Sequence, residues 1–178
     1  MRLASLLAAA GLGLAACAPS SFTTEVKGEA TVPAGPPGGT TSLNAFPSIS
    51  SFAGMDFDQN QDFKNQGISK GDVTSVKVKS VTLKVLSPND QDFAFLSVAE
   101  FFARAGDREA LIARRENIST LNLRPPNPVL SLDVDDVELQ PFVSAPTMSI
   151  IVRGRGVMPE REVRLQAVVT LEVEGGLL

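Results

Sequence analysis

The side chains with the most chemical potential form an alternating run, Asp56-Phe57-Asp58-Gln59-Asn60-Gln61-Asp62. Asp56, Asp58, Asn60 and Asp62 bring carboxylate and amide oxygens to every second position. Such oxygens are the ligands that Ca²⁺, a hard cation, takes. On a strand the same alternation places all four on one solvent face, with Phe57 and Phe63 on the other, and explains the spacing without a metal. A second acidic cluster holds Asp133, Asp135, Asp136 and Glu138. Two carboxylates at the right separation can act as acid and base on a glycoside. The plainer reading is an exposed strand end followed by a helix start, where Asp is favoured.

The Asp56–Asp62 run resembles the first half of an EF-hand loop. The pattern then fails, because Gln61 stands where the turn glycine belongs and Gly67 where the bidentate Glu belongs. Arg153, Arg155, Arg161 and Arg164 gather near the C-terminus, with Glu160, Glu162, Glu172 and Glu174 close by. They read as an anion-binding patch or, more simply, as cross-strand ion pairs on a solvated face. Lys77, Lys79 and Lys84 read as charges guarding a sheet edge. Gly154-Arg155-Gly156 lacks the third glycine and following helix of a phosphate loop.

The composition removes whole classes of chemistry. The 178 residues include no His, so neither a Ser-His-Asp nor a Cys-His pair can form, and no imidazole can bind a metal. A single Cys excludes an intrachain disulfide, a Cys-x-x-Cys redox pair and a thiolate zinc cage. With no Trp or Tyr, a sugar-binding cleft lacks its usual aromatic platforms. Sixteen Lys and Arg against twenty Asp and Glu leave no basic excess for nucleic-acid phosphates.

The single Cys has a context. Arg2 precedes an apolar run from Leu3 to Leu14, too short to span a bilayer, and the run ends in Leu14-Ala15-Ala16-Cys17. This resembles the lipobox of bacterial lipoproteins. The resemblance covers residues 1–18. It implies cleavage before Cys17, diacylglycerol on the Cys17 sulfur and, in Gram-negative cells, a further acyl chain on its amine. Two or more chains anchor stably where one does not. Ala18 after Cys17, rather than Asp, favours the outer membrane in a cell that has one. Removal of residues 1–16 would leave 162 residues, with Arg2 the one charge lost.

The elements that must position these residues read as β-strands. Phe22 to Val32 alternates and is stopped by Pro33; residues 33–39 are a Pro- and Gly-rich loop. Residues 50–58 read as a second strand, with Phe52, Met55 and Phe57 as its apolar members, and 67–72 as a turn. Val73 to Leu86 is a long strand whose apolar phase changes after Val78, so a bulge near Lys79-Ser80 is expected. Residues 97–105 and 109–116 form a hairpin about Gly106-Asp107-Arg108. Leu121 to Pro128 is irregular. Val129 to Val134 is a short strand, and 136–142 a helical turn ended by Pro141. Met148 to Arg155 and Val163 to Glu174 are strands joined by a hairpin loop at 156–162.

About eight short strands predict an all-β, antiparallel β-sandwich of immunoglobulin-like architecture, formed by residues 22–178 after a signal peptide (1–16) and a lipidated tether (17–21). Ala18 to Ser21 spans at most about 14 Å. The function expected is that of a lipid-anchored envelope lipoprotein with a non-enzymatic binding or scaffolding domain. Its partners would be the membrane, through Cys17, and an envelope protein. The alternatives are a Ca²⁺-stabilised adhesion module using Asp56, Asp58, Asn60 and Asp62, and a carboxylate-dependent hydrolase.

Overall fold

The computed structural model describes residues 20–38 and 40–176. The signal segment, Cys17 and the residues up to Pro19 lie outside them. Two antiparallel sheets pack as an all-β sandwich. The first, in the order β1-β9-β3-β6, contains β1 (Ser20–Val32), β3 (Val73–Ser87), β6 (Val129–Ser131) and β9 (Val163–Gly175). The second, in the order β2-β8-β4-β5-β7, contains β2 (Ser42–Leu43), β4 (Leu96–Ala105), β5 (Arg108–Arg115), β7 (Asp133–Val134) and β8 (Ser149–Val157).

β9 is the spine of the first sheet. It pairs with β1 from Ser20–Gly175 to Val32–Val163, and with β3 along its other edge. Its inward side chains, Val163, Leu165, Ala167, Val169, Leu171 and Val173, are all fully buried. Each Val or Leu so buried contributes about 1.5–3 kcal/mol. A one-residue slip would turn all six outward, so the register is strongly specified. β3 meets the same core by a different device. Val78 pairs with Leu171 and Ser80 with Thr170, which leaves Lys79 as the extra residue of a bulge. Val76 and Val78 before the bulge and Val81, Leu83 and Val85 after it are all buried. The phase change in the sequence is this bulge.

The second sheet carries the hairpin of β4 and β5. Ala105 pairs with Arg108, so the loop is Gly106-Asp107 alone and Arg108 belongs to β5. Gly106 takes φ +57°, which a side-chain-bearing residue rarely adopts. Ala99, Phe101 and Ala103 point into the core, and a bulge between Phe101 and Phe102 keeps Ile112 and Ala113 both buried opposite them.

Five of these expectations are corrected. Residues 50–58 are not a strand. They form two 3₁₀ turns, Ser50–Phe52 and Phe57–Gln59, followed by helix α1 (Gln61–Gln66). The cause is local: the Asp56 carboxylate accepts the Asp58 N–H, and the Asn60 amide oxygen accepts those of Asp62 and Phe63. Such side-chain to backbone bonds compete directly with a ladder. Phe52, Phe57 and Phe63 are still buried.

β8 and β9 do not form a hairpin, because they lie in different sheets. Val157 N–H bonds to Phe95 O and Met158 N–H to Thr41 O, so the end of β8 stays with the second sheet while the chain crosses to the first. The strand expected over 129–134 divides likewise. β6 pairs with β3, β7 pairs with β5, and Leu132 between them is buried. Pro141 starts a helical turn rather than ending one: α2 is Gln140–Val143, and a first turn tolerates a residue without an N–H. β1 also starts at Ser20 rather than Phe22, so the sheet begins within the segment read as tether.

Among the described residues, β3 has a strand partner on its outer side only at Thr82–Lys84. The rest is covered by chain rather than by lysines alone. Leu132 N–H bonds to Val81 O, Leu139 N–H to Val76 O, and the Glu138 carboxylate accepts the Val76 N–H at 2.7 Å.

Close backbone approach fixes one glycine. A Cβ on Gly156 would stand 2.1 Å from Phe95 O and 3.0 Å from Leu96 Cα. Gly156→Ala is therefore expected to destabilise the fold by roughly 1–3 kcal/mol, read as a lower urea midpoint at unchanged slope.

Candidate functional site

The two acidic clusters serve the fold. Asp56 and Asp58 converge on Lys70, whose Nζ lies 2.7 Å from Asp56 Oδ1 and 3.5 Å from Asp58 Oδ2; Asp58 also accepts the Lys70 N–H at 2.9 Å. The Lys70 ammonium thus stands as the cation of this pair. Its hydrogen bond holds the Asp56 carboxyl below the ordinary range against the opposing effect of burial, and the same bond raises the pKa of Lys70. Asn60 and Asp62 turn instead to Thr24, which is buried on β1. The Thr24 hydroxyl donates to Asp62 Oδ2 at 2.7 Å and accepts from Asn60 Nδ2 at 3.2 Å. The four residues thus leave the single strand face expected of them and divide between two partners. No group of three or more His, Cys, Asp and Glu able to hold a metal ion occurs among the described residues.

The second cluster is dispersed. Asp133 forms a two-pronged pair with Arg115 Nη1 at 3.0 and 3.1 Å, and Asp136 pairs with Lys77 at 2.7 Å. Glu138 accepts from Val76 N, Gln140 N and Ser75 Oγ at 2.7–2.9 Å. Burial alone would raise the Glu138 pKa, but these donors outweigh it and the net shift is downward. A general acid needs the opposite shift.

The arginines give a different picture. The four noted in the sequence do not gather: Arg153 and Arg155 lie on β8, Arg164 on β9 in the other sheet, and Arg161 in the loop between. Three of them form ion pairs on solvated surface, with partners other than the neighbouring glutamates: Arg153–Glu109 at 2.8 Å, Arg161–Asp90 at 2.9 Å and Arg164–Glu29 at 2.7 Å. The fold instead collects arginines from three adjacent strands. β4 supplies Arg104, β5 supplies Arg108, Arg114 and Arg115, and β8 supplies Arg153 and Arg155. Against these six, the five-stranded sheet holds only Glu100, Glu109 and Asp133.

The outer face of this sheet has a definite layout. Phe102 stands between Ile151 of β8 and Leu111 of β5 in the register, an apolar row of half-buried side chains. The Arg153 guanidinium lies 4.1 Å from the centre of the Phe102 ring and reaches Glu109 two strands away. It thus caps the row with a cation–π contact. Arg114 Nε lies 3.3 Å from Glu100, and Arg114 also pairs with Glu116. Arg108 donates to Pro141 O, and among the described residues neither it nor Arg104 or Arg155 has a carboxylate within ion-pair distance. A cleft of about 480 Å³ opens beside Val152 to Arg155, walled by Asn44, Ala45 and Phe46. A broader depression of about 610 Å³ lies beside Arg114, Arg115 and Asp133.

Sequence reasoning picked out Arg153 and Arg155 but missed Phe102, Arg104, Arg108, Arg114 and Arg115. The available signal was the alternation of Glu100, Phe102 and Arg104 with the buried Ala99, Phe101 and Ala103. The bulge that aligns Phe102 with Leu111 has no mark in the sequence.

No protein-family profile matches the chain. No curated protein matches it significantly. Among solved structures, a chain described as "nora virus structure" aligns over 99% of this chain and 67% of its own, at 12% identity and a TM-score of 0.33. Similarity at that level carries no argument about fold or function.

Two predictions follow from the acidic side chains. The Glu138 pKa is depressed in the fold, so its stabilisation is full above its ordinary value of 4.5 and is lost as the pH falls through and below it. Glu138→Gln is expected to cost roughly 1 kcal/mol at neutral pH, with the gap to wild type closing in acid, as measured by chemical denaturation between pH 7 and 3. Because Lys70 already neutralises Asp56 and Asp58, millimolar CaCl₂ is expected to produce no binding heat and no rise in melting temperature. A saturable shift would place a calcium site at this run after all.

Proposed function

We propose that this chain is a lipid-anchored cell-envelope protein whose β-sandwich binds or scaffolds another envelope component and catalyses no reaction. The observation that carries the reading is the position of Leu14-Ala15-Ala16-Cys17 relative to the fold: β1 begins at Ser20, three residues after the cysteine to be acylated. Ser20 pairs with Gly175, at the end of the first sheet where β3 also starts. That end of the sandwich would therefore rest near the bilayer. The loops at 33–41 and 158–162, which flank Val32 and Val163 at the other end of the β1–β9 ladder, would face away. Ala18 after Cys17 favours the outer membrane by its resemblance to sorted lipoproteins.

The binding role is supported by the disposition of charge. Asp56, Asp58, Asn60, Asp62, Asp133, Asp136 and Glu138 are engaged in caps, edge coverage and ion pairs, whereas Arg104, Arg108 and Arg155 of the five-stranded sheet have no acidic partner among the described residues. No observation favours the hydrolase over this reading.

Cys17→Ser is expected to abolish incorporation of labelled fatty acid and to move the protein from the membrane to the soluble fraction. Unchanged membrane retention would overturn the anchor.

A further inference from the structure

The register of β8, β4 and β5 lays out the outer face of the five-stranded sheet in rows. The central row is Ile151, Phe102 and Leu111, half-buried and outside the core packing. Arg153 crosses this row. Its guanidinium lies 4.1 Å from the centre of the Phe102 ring, and its Nη2 donates to Glu109 on β5 at 2.8 Å. On one side of the row lies Arg104, level with Ser149 and Glu109. On the other, past Glu100, lies Arg155, level with Val98. Arg104 and Arg155 are exposed, and among the described residues their side chains have no hydrogen bond, ion pair or ring contact. Six positions of β4 separate the two levels, about 20 Å along the strand. The cleft beside Val152 to Arg155 recesses the face on its β8 side, and the depression that Leu111 lines recesses it on the β5 side.

We propose that this face docks an acidic surface of a partner protein, with carboxylates about 20 Å apart on Arg104 and Arg155 and an apolar side chain between them on the Ile151–Phe102–Leu111 row. Charge selects the class of partner. The strands of this sheet hold six arginines against Glu100, Glu109 and Asp133, in a chain whose formal net charge is −4. An exposed guanidinium with no carboxylate of its own offers its planar fork to one from outside. Arg153 is already held against the Phe102 ring, so a partner's carboxylate that joins or replaces Glu109 meets an oriented donor. The apolar row favours a protein over a purely polar polyanion, because it rewards an apolar side chain at the centre of the contact. A second copy of this chain offers no acidic sheet face, since the strands of the first sheet carry five Lys and Arg against four Glu. The bilayer is disfavoured by reach. Cys17 to Ser20 spans at most about 11 Å. β1 lies in the other sheet, about 10 Å behind the five-stranded one, and the arginine side chains stand further out still. The inference rests on the reading of the sandwich as an anchored binding module.

The test places the photocrosslinker benzoylphenylalanine in the full chain in intact envelopes, at Leu111, at Val98 and, on the outer face of the other sheet, at Thr82. The expected result is an adduct with one and the same protein from Leu111 and Val98 but not from Thr82, through a peptide that contains Asp or Glu. Should the chain labelled at Leu111 fail to fold, Val98 carries the comparison. Arg104→Glu combined with Arg155→Glu is expected to cut the adduct roughly tenfold at unchanged melting temperature. Arginine in place of the acidic residues of the crosslinked peptide is expected to restore it. Adducts with lipid or with a second copy of this chain alone, a partner adduct that survives both arginine reversals, or no protein adduct from this face would overturn the proposal. If a partner is captured from Thr82 alone, the binding role survives and the five-stranded face is not its site. If none of the three positions captures a protein, the binding role falls with it.

Discussion

Strand β9 is hydrogen-bonded along both edges, with thirteen residue pairs to β1 and twelve to β3. Everything else in the molecule accommodates that strand. Its inward row of Val, Leu and Ala sets the level of the core, and both neighbours must present apolar side chains at the same level. β1 does so with Ala30 and Val32 buried and with Phe22 and Val26 packed against the core. β3 cannot do so by simple alternation and needs the Lys79 bulge. Because β9 is saturated on both sides, β8 has no place beside it, and the chain must cross from one sheet to the other between Val157 and Val163.

The polar residues that looked most able to do chemistry are used at the places where strands alone leave the sandwich incomplete. Asp56 and Asn60 cap the turns and helix that run beside β1. Thr24, Asn60 and Asp62 tie that segment to the sheet, and Phe63 packs edge-on against Phe22 at 5.2 Å. Glu138 supplies the acceptor that a strand would otherwise offer to Val76. Asp56 and Glu138 are held below the ordinary carboxylate range by these contacts, and each is bound by a different set of donors.

The arginines distribute by a different logic. They concentrate on β4, β5 and β8, and the Arg153–Phe102–Glu109 contact spans three strands. A planar guanidinium can lie on an aromatic ring and still pair with a carboxylate, which an ammonium does less well. This gives the outer face of the five-stranded sheet a partly covered apolar row bordered by positive charge. Beside β8 the charge of Arg153 and Arg155 borders the cleft walled by Asn44, Ala45 and Phe46.

The sequence by itself determined the all-β class, the positions of most strands and the bulge in β3, and the resemblance of Leu14-Ala15-Ala16-Cys17 to a lipobox is an expectation of the same local kind. These features are local: a period of two, a phase change and a contiguous motif can each be read within a dozen residues. Strands β8 and β9 could not be assigned to sheets this way, because two alternating segments joined by a short loop look alike whether they pair with each other or with distant partners. The Asp56–Asp62 run could not be assigned either, since Asx capping and strand alternation share the same spacing. Only the tertiary structure decided which strands are neighbours, where each carboxylate finds its donor, and that six arginines from three strands share one sheet. All of these depend on contacts between residues far apart in the chain, and the side chains carry no record of such partners until the core has set the register.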